Sequence, residues 1–183
     1  MKSDENLYYD YLDGDDSALA ELLSRYDESL NLFLFSFVKN AEDAEELALD
    51  AFARLVASDK KFQGRSTFKT WLFAIGRNLA LQHIRKHGIR TDRFAEGQAV
   101  ADEKTPDLPI MAQERYRQLY AAMGQLKEEY RMVLYLKYFE DMSVAESAGV
   151  LSKSEKQVSD LLYRGKQALK NMLEKEGFEY DDD

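Results

Sequence analysis

The sequence predicts an all-α protein with two small helical domains joined by a flexible linker, the second containing a helix-turn-helix. The 183 residues include nine Gly and only two Pro, and long stretches without either residue favour helix. Within these stretches, apolar residues recur at three- and four-residue spacing, which is the period of an amphipathic helix. No segment shows the alternation typical of strands, so we expect helices throughout.

Three helices are predicted in the first domain, over residues 15–37, 41–58 and 66–86. Asp16 or Ser17 can cap the first of them, because both side chains accept hydrogen bonds from backbone N–H groups. The second carries one apolar stripe, and acidic residues lie off that stripe. In the third, Trp71 is assigned to the core, since a Trp in a helix is more often buried than exposed to a ligand.

The segment 88–108 interrupts the helical pattern. It contains Gly97 and Pro106, Pro109 follows directly after it, and few large apolar residues occur. We therefore predict a first domain at 1–92, a linker at 93–109, a second domain at 110–176 and an acidic tail at 177–183. In the second domain, residues 111–126 and 128–138 have helical spacing, and two shorter helices are expected to follow.

The net charge of the chain is −9, but its charged residues are distributed unevenly along the sequence. Residues 1–60 carry five Lys and Arg against fifteen acids, whereas residues 61–93 carry eight against one. A basic block inside an acidic protein is typical of a phosphate-binding surface. A basic, solvated helix face is the competing interpretation, and charge alone does not decide between them.

Residues 143–162 have the layout of a helix-turn-helix. Ala148 and Leu151 fall where the first helix packs, Ser154 can cap the second, and Val158 and Leu162 are its predicted buried positions. The outer face would then meet base edges in the major groove. A helical hairpin without DNA binding stays open from this motif alone. The predicted contacts are Lys153, Ser154, Lys156, Gln157, Ser159, Asp160, Arg164 and Lys166.

The basic block mixes cations, hydroxyls and aromatics, the combination that holds unstacked bases and phosphates. Phe62 and Phe68 could equally be core residues. His83 has no further His, Asp or Glu at ligand spacing, so no metal site is expected. The predicted single-strand contacts are Lys61, Phe62, Arg65, Ser66, Thr67, Phe68, Lys69, Arg77, Asn78, Gln82, His83, Arg85, Lys86 and Arg90.

With these motifs in order, residues 7–175 resemble an extracytoplasmic-function sigma factor of the sigma-70 family. The resemblance rests on five segments in the family's order, at 14–26, 41–52, 62–78, 126–143 and 158–164. It implies core RNA polymerase and promoter DNA as partners. The first domain would bind the polymerase clamp and melt the minus-ten element, and the second would read the minus-thirty-five element. The implied polymerase contacts are Asp43, Glu45, Glu46, Leu47, Asp50, Phe52 and Arg54.

The chain departs from the family's pattern in the second domain. Ser159, Asp160 and Leu161 stand where a Lys and an Arg are common, and Ser152 stands where the turn usually has Gly. Asp160 would repel phosphate, so base reading by this helix has to be measured. The resemblance also implies an anti-sigma factor as a further partner.

The residues predict neither an enzyme nor a cofactor site, because the acids lie on helix faces without a convergent base, nucleophile or glycine-rich phosphate loop. No apolar run approaches the roughly 18 residues of a membrane span, so no membrane insertion and a cytoplasmic location are expected. Two other classes stay open beside the sigma factor. One is a stand-alone helix-turn-helix regulator, and the other is a sigma-like adaptor that binds a regulator without loading polymerase.

Overall fold

The computed structural model describes residues 2–57, 61–87, 119 and 121–175. This part of the chain contains no strand, which confirms the predicted all-α class. Within it, none of the helices is long and apolar enough to cross a bilayer. The helices are α1 (Asp4–Leu12), α2 (Asp16–Val38), α3 (Ala41–Ala57), α4 (Phe68–His87), α5 (Glu128–Tyr138), α6 (Val144–Leu151) and α7 (Glu155–Lys175).

Much of the predicted linker and tail lies outside the described residues. This applies to the whole of the linker at 93–109, to the tail at 177–183 and to most of the helix predicted at 111–126, of which residues 121–125 are helical. The predicted domain limits at 1–92 and 110–176 therefore stay predictions. These helices form two groups, a first bundle of α1–α4 and a second bundle of α5–α7.

Helix α1 was not predicted, because its sequence is polar and only weakly periodic. Its N-terminus is closed by Ser3, whose side chain accepts a hydrogen bond from the Asn6 N–H. Leu7 and Tyr8 are 2% and 0% exposed against the rest of the bundle. Tertiary burial, rather than helix propensity, accounts for this helix.

The other helices of the first bundle begin and end within two residues of the predicted limits. The cap of α2 is Asp15, not the predicted Asp16 or Ser17; its carboxylate accepts from the Ser17 N–H at 3.0 Å. Gly76 lets α4 cross α2 closely, because a Cβ there would lie 3.0 Å from the Leu30 Cδ1. The bundle core is built from large side chains such as Phe33 and Phe73, both 0% exposed.

The second bundle contains the predicted helix-turn-helix in α6 and α7. Helix α6 begins with a capping box, in which Ser143 and Glu146 each accept from the other's backbone N–H. Ala148, Leu151 and Val158 are 7%, 2% and 0% exposed, as predicted. The expectation that both helices are short is wrong for α7, which has 21 residues.

The two bundles pack against each other where α5 meets α2 and where α6 meets α4. The Tyr135 hydroxyl of α5 donates to the Ser29 carbonyl of α2 at 3.1 Å, and its ring lies 5.9 Å from the Phe33 ring. Helix α6 approaches α4 so closely that a Cβ on Gly149 would lie 3.1 Å from the Thr70 Cγ2. This contact places the second bundle over one side of the basic helix.

Ser152 is the C-cap of α6, and its backbone lies in the left-handed region with φ 53°. A Cβ is disfavoured there, whereas Gly adopts this conformation freely. We expect Ser152→Gly to raise the free energy of unfolding by about 1 kcal/mol, measured by urea denaturation. Ala145→Gly, at an exposed position inside the same helix, should lower it by about 1 kcal/mol. Equal destabilisation by both substitutions would contradict the assigned backbone.

Candidate nucleic-acid interface

The outer surface of α3 is acidic, and it is tied to the basic helix α4 by two side-chain contacts. The Asp43 Oδ2 lies 3.4 Å from the His83 Nε2. The Arg54 guanidinium donates to the Gln82 side-chain oxygen at 3.4 Å. Among the residues predicted to bind polymerase, this surface exposes most of the charged ones, which are Glu45, Glu46, Asp50 and Arg54.

Two predicted polymerase contacts belong to the core instead. Leu47 and Phe52 are each 5% exposed, because they lie on the apolar stripe that packs α3 into the bundle. Their burial argues against a direct contact with a partner, and that contact stays a prediction. Sequence reasoning also missed Leu49, which is 67% exposed in the middle of the acidic surface. Its position in the sequence could have indicated this exposure, because Leu49 is a large apolar residue that lies outside the apolar stripe of α3.

The aromatic residues of the basic block form a buried cluster. Phe62 and Phe68 are 5% and 0% exposed, so both rings are core residues in this structure, and their contact with DNA stays a prediction. The Phe62 ring lies 5.4 Å from the Trp71 ring and 6.1 Å from the Tyr8 ring. Tyr8 comes from α1, the helix that the sequence pattern did not reveal.

This cluster positions the start of α4 and the loop before it. The Phe68 N–H donates to the Glu5 carboxylate of α1 at 3.0 Å, and the Thr67 hydroxyl accepts from the Thr70 N–H at 3.2 Å. These acceptors satisfy backbone groups that a helix N-terminus otherwise leaves unpaired. The preceding loop side chains are exposed, namely Arg65, Ser66 and Thr67.

One side of α4 faces solvent and carries polar and basic residues. Asn78, Gln82 and Lys86 recur every four residues, so they lie in one row, and Arg85 lies beside it. All four are exposed. Lys61 is exposed too, and its ammonium donates to the Val56 carbonyl at 3.2 Å. Arg90 lies outside the described residues.

The opposite side of α4 faces the second bundle. The Lys69 ammonium lies 2.8 Å from the Glu140 carboxylate and donates to the Glu140 carbonyl at 2.7 Å. Arg77 is half-buried, and this burial lowers the pKa of its guanidinium while Glu128 acts in the opposite direction. Of these two predicted DNA contacts, Lys69 is therefore paired with an acid of the same chain.

His83 has closer partners than the sequence suggested. Besides Asp43, its ring stacks on the His87 ring at 4.3 Å between centroids. The expectation that no such residue lies near His83 is wrong, because His87 follows one helical turn later. Even so, nowhere in the described residues do three His, Asp or Glu side chains converge as metal ligands.

The outer face of the helix-turn-helix is only partly available to DNA. The Ser154 hydroxyl accepts from the Gln157 N–H at 3.2 Å, and the Gln157 side chain accepts from the Ser154 N–H at 2.9 Å. Ser154 thus caps α7 as predicted. The Lys153 ammonium pairs with Glu129 at 2.7 Å. The remaining predicted residues are exposed, namely Lys156, Ser159, Asp160, Arg164 and Lys166.

Both groups of helices match known protein families. Residues 22–89 match the family described as Sigma-70 region 2. Residues 116–169 match the family described as Sigma-70, region 4. The first match covers α3 and α4, and the second covers the helix-turn-helix. The two matches follow the order of the resemblance found in the sequence, and they confirm it.

Individual proteins are similar over most of the chain. The ECF RNA polymerase sigma factor SigX of Bacillus subtilis is 32% identical over 159 residues, which cover 84% of this chain and 82% of that protein. The sigma factor SigW of the same organism is 27% identical over 87% of this chain and 91% of its own length.

Two solved structures share the fold. CnrH, in complex with the cytosolic domain of CnrY, has a TM-score of 0.69 at 22% identity over 94% of this chain and 98% of its own. The sigma factor RpoE of Bartonella quintana, in complex with the anti-sigma factor NepR, has a TM-score of 0.68 at 21% identity over 85% and 96%. The two structures show the fold, and the family matches with the identity to SigX assign the chain. It belongs to the extracytoplasmic-function RNA polymerase sigma factors of the sigma-70 family.

Proposed function

We propose that this chain binds core RNA polymerase and directs it to promoters, with different residues doing each task. The exposed face of α3 binds the polymerase clamp. The loop 63–67 and the solvent side of α4 capture the minus-ten element as it opens. Helix α7 meets the minus-thirty-five element as duplex. The chain acts as an initiation factor in the cytoplasm and supplies no catalytic group of its own.

The observation that carries this proposal is the division of charge within the first bundle. The acidic face of α3 and the basic side of α4 are fixed to each other through the Asp43–His83 and Arg54–Gln82 contacts. An acidic face suits a protein partner, and a basic row suits phosphate. One bundle can therefore hold polymerase and promoter DNA at the same time.

The burial of Phe62 and Phe68 restricts how the minus-ten element is held. Neither ring can offer a face to a base without breaking the aromatic cluster. Base contacts must then come from hydroxyl and amide groups, and phosphate contacts from cations. The exposed side chains that meet this need are Arg65, Ser66, Thr67, Asn78, Gln82, Arg85 and Lys86.

The stand-alone regulator is the weaker candidate, because α7 offers a poor base-reading face. Ser154 and Gln157 hydrogen bond to each other's backbone, and Lys153 pairs with Glu129. An exposed acid, Asp160, lies between Lys156 and Arg164, one turn from each. Specific duplex binding at physiological salt without polymerase would favour this alternative.

The direct experiment is run-off transcription with purified chain, core polymerase and a library of promoter fragments. We expect promoter-dependent transcripts only when chain and polymerase are both present. The adaptor alternative predicts that the chain binds a regulator but yields no transcripts. Absence of promoter-dependent initiation on every fragment would contradict the proposed function.

Arg85→Ala with Lys86→Ala should weaken capture of the opened minus-ten strand. Two lost phosphate contacts should reduce promoter-dependent transcription by about tenfold and flatten its salt dependence. Run-off assays at several salt concentrations measure both effects. Lys175→Ala, an exposed cation at the end of α7, is the control and should change neither. Equal losses in both variants would argue against a specific role for this side of α4.

Leu49→Ala should weaken binding to core polymerase without lowering stability. An apolar side chain that is 67% exposed adds little to folding but can be buried at an interface. We expect the free energy of unfolding to change by less than about 0.5 kcal/mol and polymerase affinity to fall measurably in a pull-down titration. Leu32→Ala, exposed on α2, is the matched control. An equal loss of polymerase affinity in that variant would show that Leu49 is not part of the interface.

Asp160→Asn should strengthen use of the minus-thirty-five element. Removing one exposed negative charge from the outer face of α7 relieves repulsion from phosphate. We expect higher transcription from a promoter with an intact minus-thirty-five element and no gain when that element is scrambled. Glu174→Gln, at the far end of the same helix, is the charge-matched control. An equal gain in transcription with the intact and the scrambled element would show a non-specific charge effect.

A further inference from the structure

Tyr9 of α1 is an aromatic residue that the first bundle leaves in solvent. Within residues 2–57 and 61–87 it is the one Tyr, Phe or Trp whose side chain is exposed. Tyr9 is 43% exposed, whereas Phe62 and Phe68 are 5% and 0% exposed. Single exposed rings are common on protein surfaces, so the neighbours of Tyr9 decide which ligand it can meet.

The Tyr9 ring lies beside the loop 63–67, to which the proposed function assigns capture of the opened minus-ten strand. A Cβ built on Gly64 would lie 3.7 Å from the Tyr9 hydroxyl, at ordinary van der Waals distance. Gly64 has φ 67°, in the left-handed region, and it carries no side chain that could cover the ring. The exposed ring therefore adjoins the backbone of the loop that is proposed to hold single-stranded DNA.

Buried neighbours fix the orientation of the Tyr9 ring. Its centroid lies 6.4 Å from the Phe62 centroid, with the ring planes at 42°, and 6.3 Å from the Tyr8 centroid, with the planes at 57°. Tyr8 and Phe62 both belong to the buried aromatic cluster. A ring that packs against a rigid cluster and still reaches solvent loses little conformational freedom when a ligand stacks on it.

The charged groups around Tyr9 suit a nucleobase better than a phosphate. Asp13 is exposed one turn later on the same helix, and Glu5, one turn earlier, accepts from the Phe68 N–H. These acids would repel a phosphate placed over the ring. A base presents an uncharged π-face, so it can stack there while the exposed Arg65 of the loop holds a neighbouring phosphate.

We propose that Tyr9 is a stacking platform for one unpaired base of the opened minus-ten strand, next to the loop 63–67. Hydroxyl and amide groups bond the edges of the bases, and Tyr9 supplies the aromatic face that the buried Phe62 and Phe68 cannot offer. Tyr9 lies outside residues 22–89, which match Sigma-70 region 2. This inference rests on the proposed function and adds to it a base contact from α1.

A scan of single abasic nucleotides tests the platform in the complete complex. The probe is fork-junction DNA of the strongest promoter from the run-off experiment, with its non-template strand unpaired across the minus-ten element. We expect Tyr9→Ala to weaken binding of this probe by the chain with core polymerase about tenfold, because the stacking of one base is lost. At one abasic position, the natural chain should bind more weakly and Tyr9→Ala should cause no further loss.

Two further substitutions separate stacking from packing. Tyr9→Phe retains an aromatic face, so its affinity for the probe should stay within about twofold of that of the natural chain. Tyr9→Leu keeps an apolar contact with Phe62 but has no π-face, so it should lose nearly as much affinity as Tyr9→Ala. Leu12→Ala, 39% exposed on the same helix, is the matched control and should leave the affinity unchanged. If Tyr9→Ala loses its helical circular dichroism, Tyr9→Leu decides.

The outcomes distinguish this inference from the proposed function. If the natural chain directs transcription but Tyr9→Leu binds the intact probe equally well, the platform is overturned and the function stands. The platform is also overturned if the substitution costs the same affinity with every abasic probe, or if it weakens binding to core polymerase without DNA. The last result would assign Tyr9 to the polymerase interface. If the natural chain with polymerase neither binds the probe nor yields transcripts, the proposed function fails and the platform fails with it.

Discussion

The packing of α4 against helices on several sides is the constraint on which the rest of the structure depends. Gly76 brings α4 against α2, the aromatic cluster of Tyr8, Phe62 and Trp71 fixes its beginning, and Lys69 joins it to Glu140 of the second bundle. A helix held in this way is rigid. The side that remains exposed, with Asn78, Gln82, Arg85 and Lys86, is therefore presented in a fixed orientation.

The same packing explains why an acidic protein can carry a DNA-binding surface. Acids on α3 lie beside the basic helix, and acids of the second bundle lie on it, so the positive field of residues 61–93 is compensated within the chain. The charge that α4 offers to nucleic acid therefore depends on how these helices pack, not on composition alone.

Helices with strong periodicity could be predicted from the sequence, and so could the helix-turn-helix frame. The limits of α5, the burial of Ala148, Leu151 and Val158, and the capping role of Ser154 all follow from local pattern. Helix α1 could not be found, because its formation depends on burial of Leu7 and Tyr8 by other elements. The same reason explains why the sequence left Phe62 and Phe68 between two roles, since local sequence does not distinguish a stacking ring from a core ring.

The contact between the bundles is beyond any single-sequence pattern, because it joins residues about 70 positions apart, as in the Lys69–Glu140 pair. Its most direct test is the distance between spin labels at Ser24→Cys on α2 and Gln167→Cys on α7, both exposed positions. We expect one narrow distance distribution in the free chain, because the Lys69–Glu140 pair and the close approach of Gly149 hold the two bundles together. A broad distribution in the free chain would contradict the account.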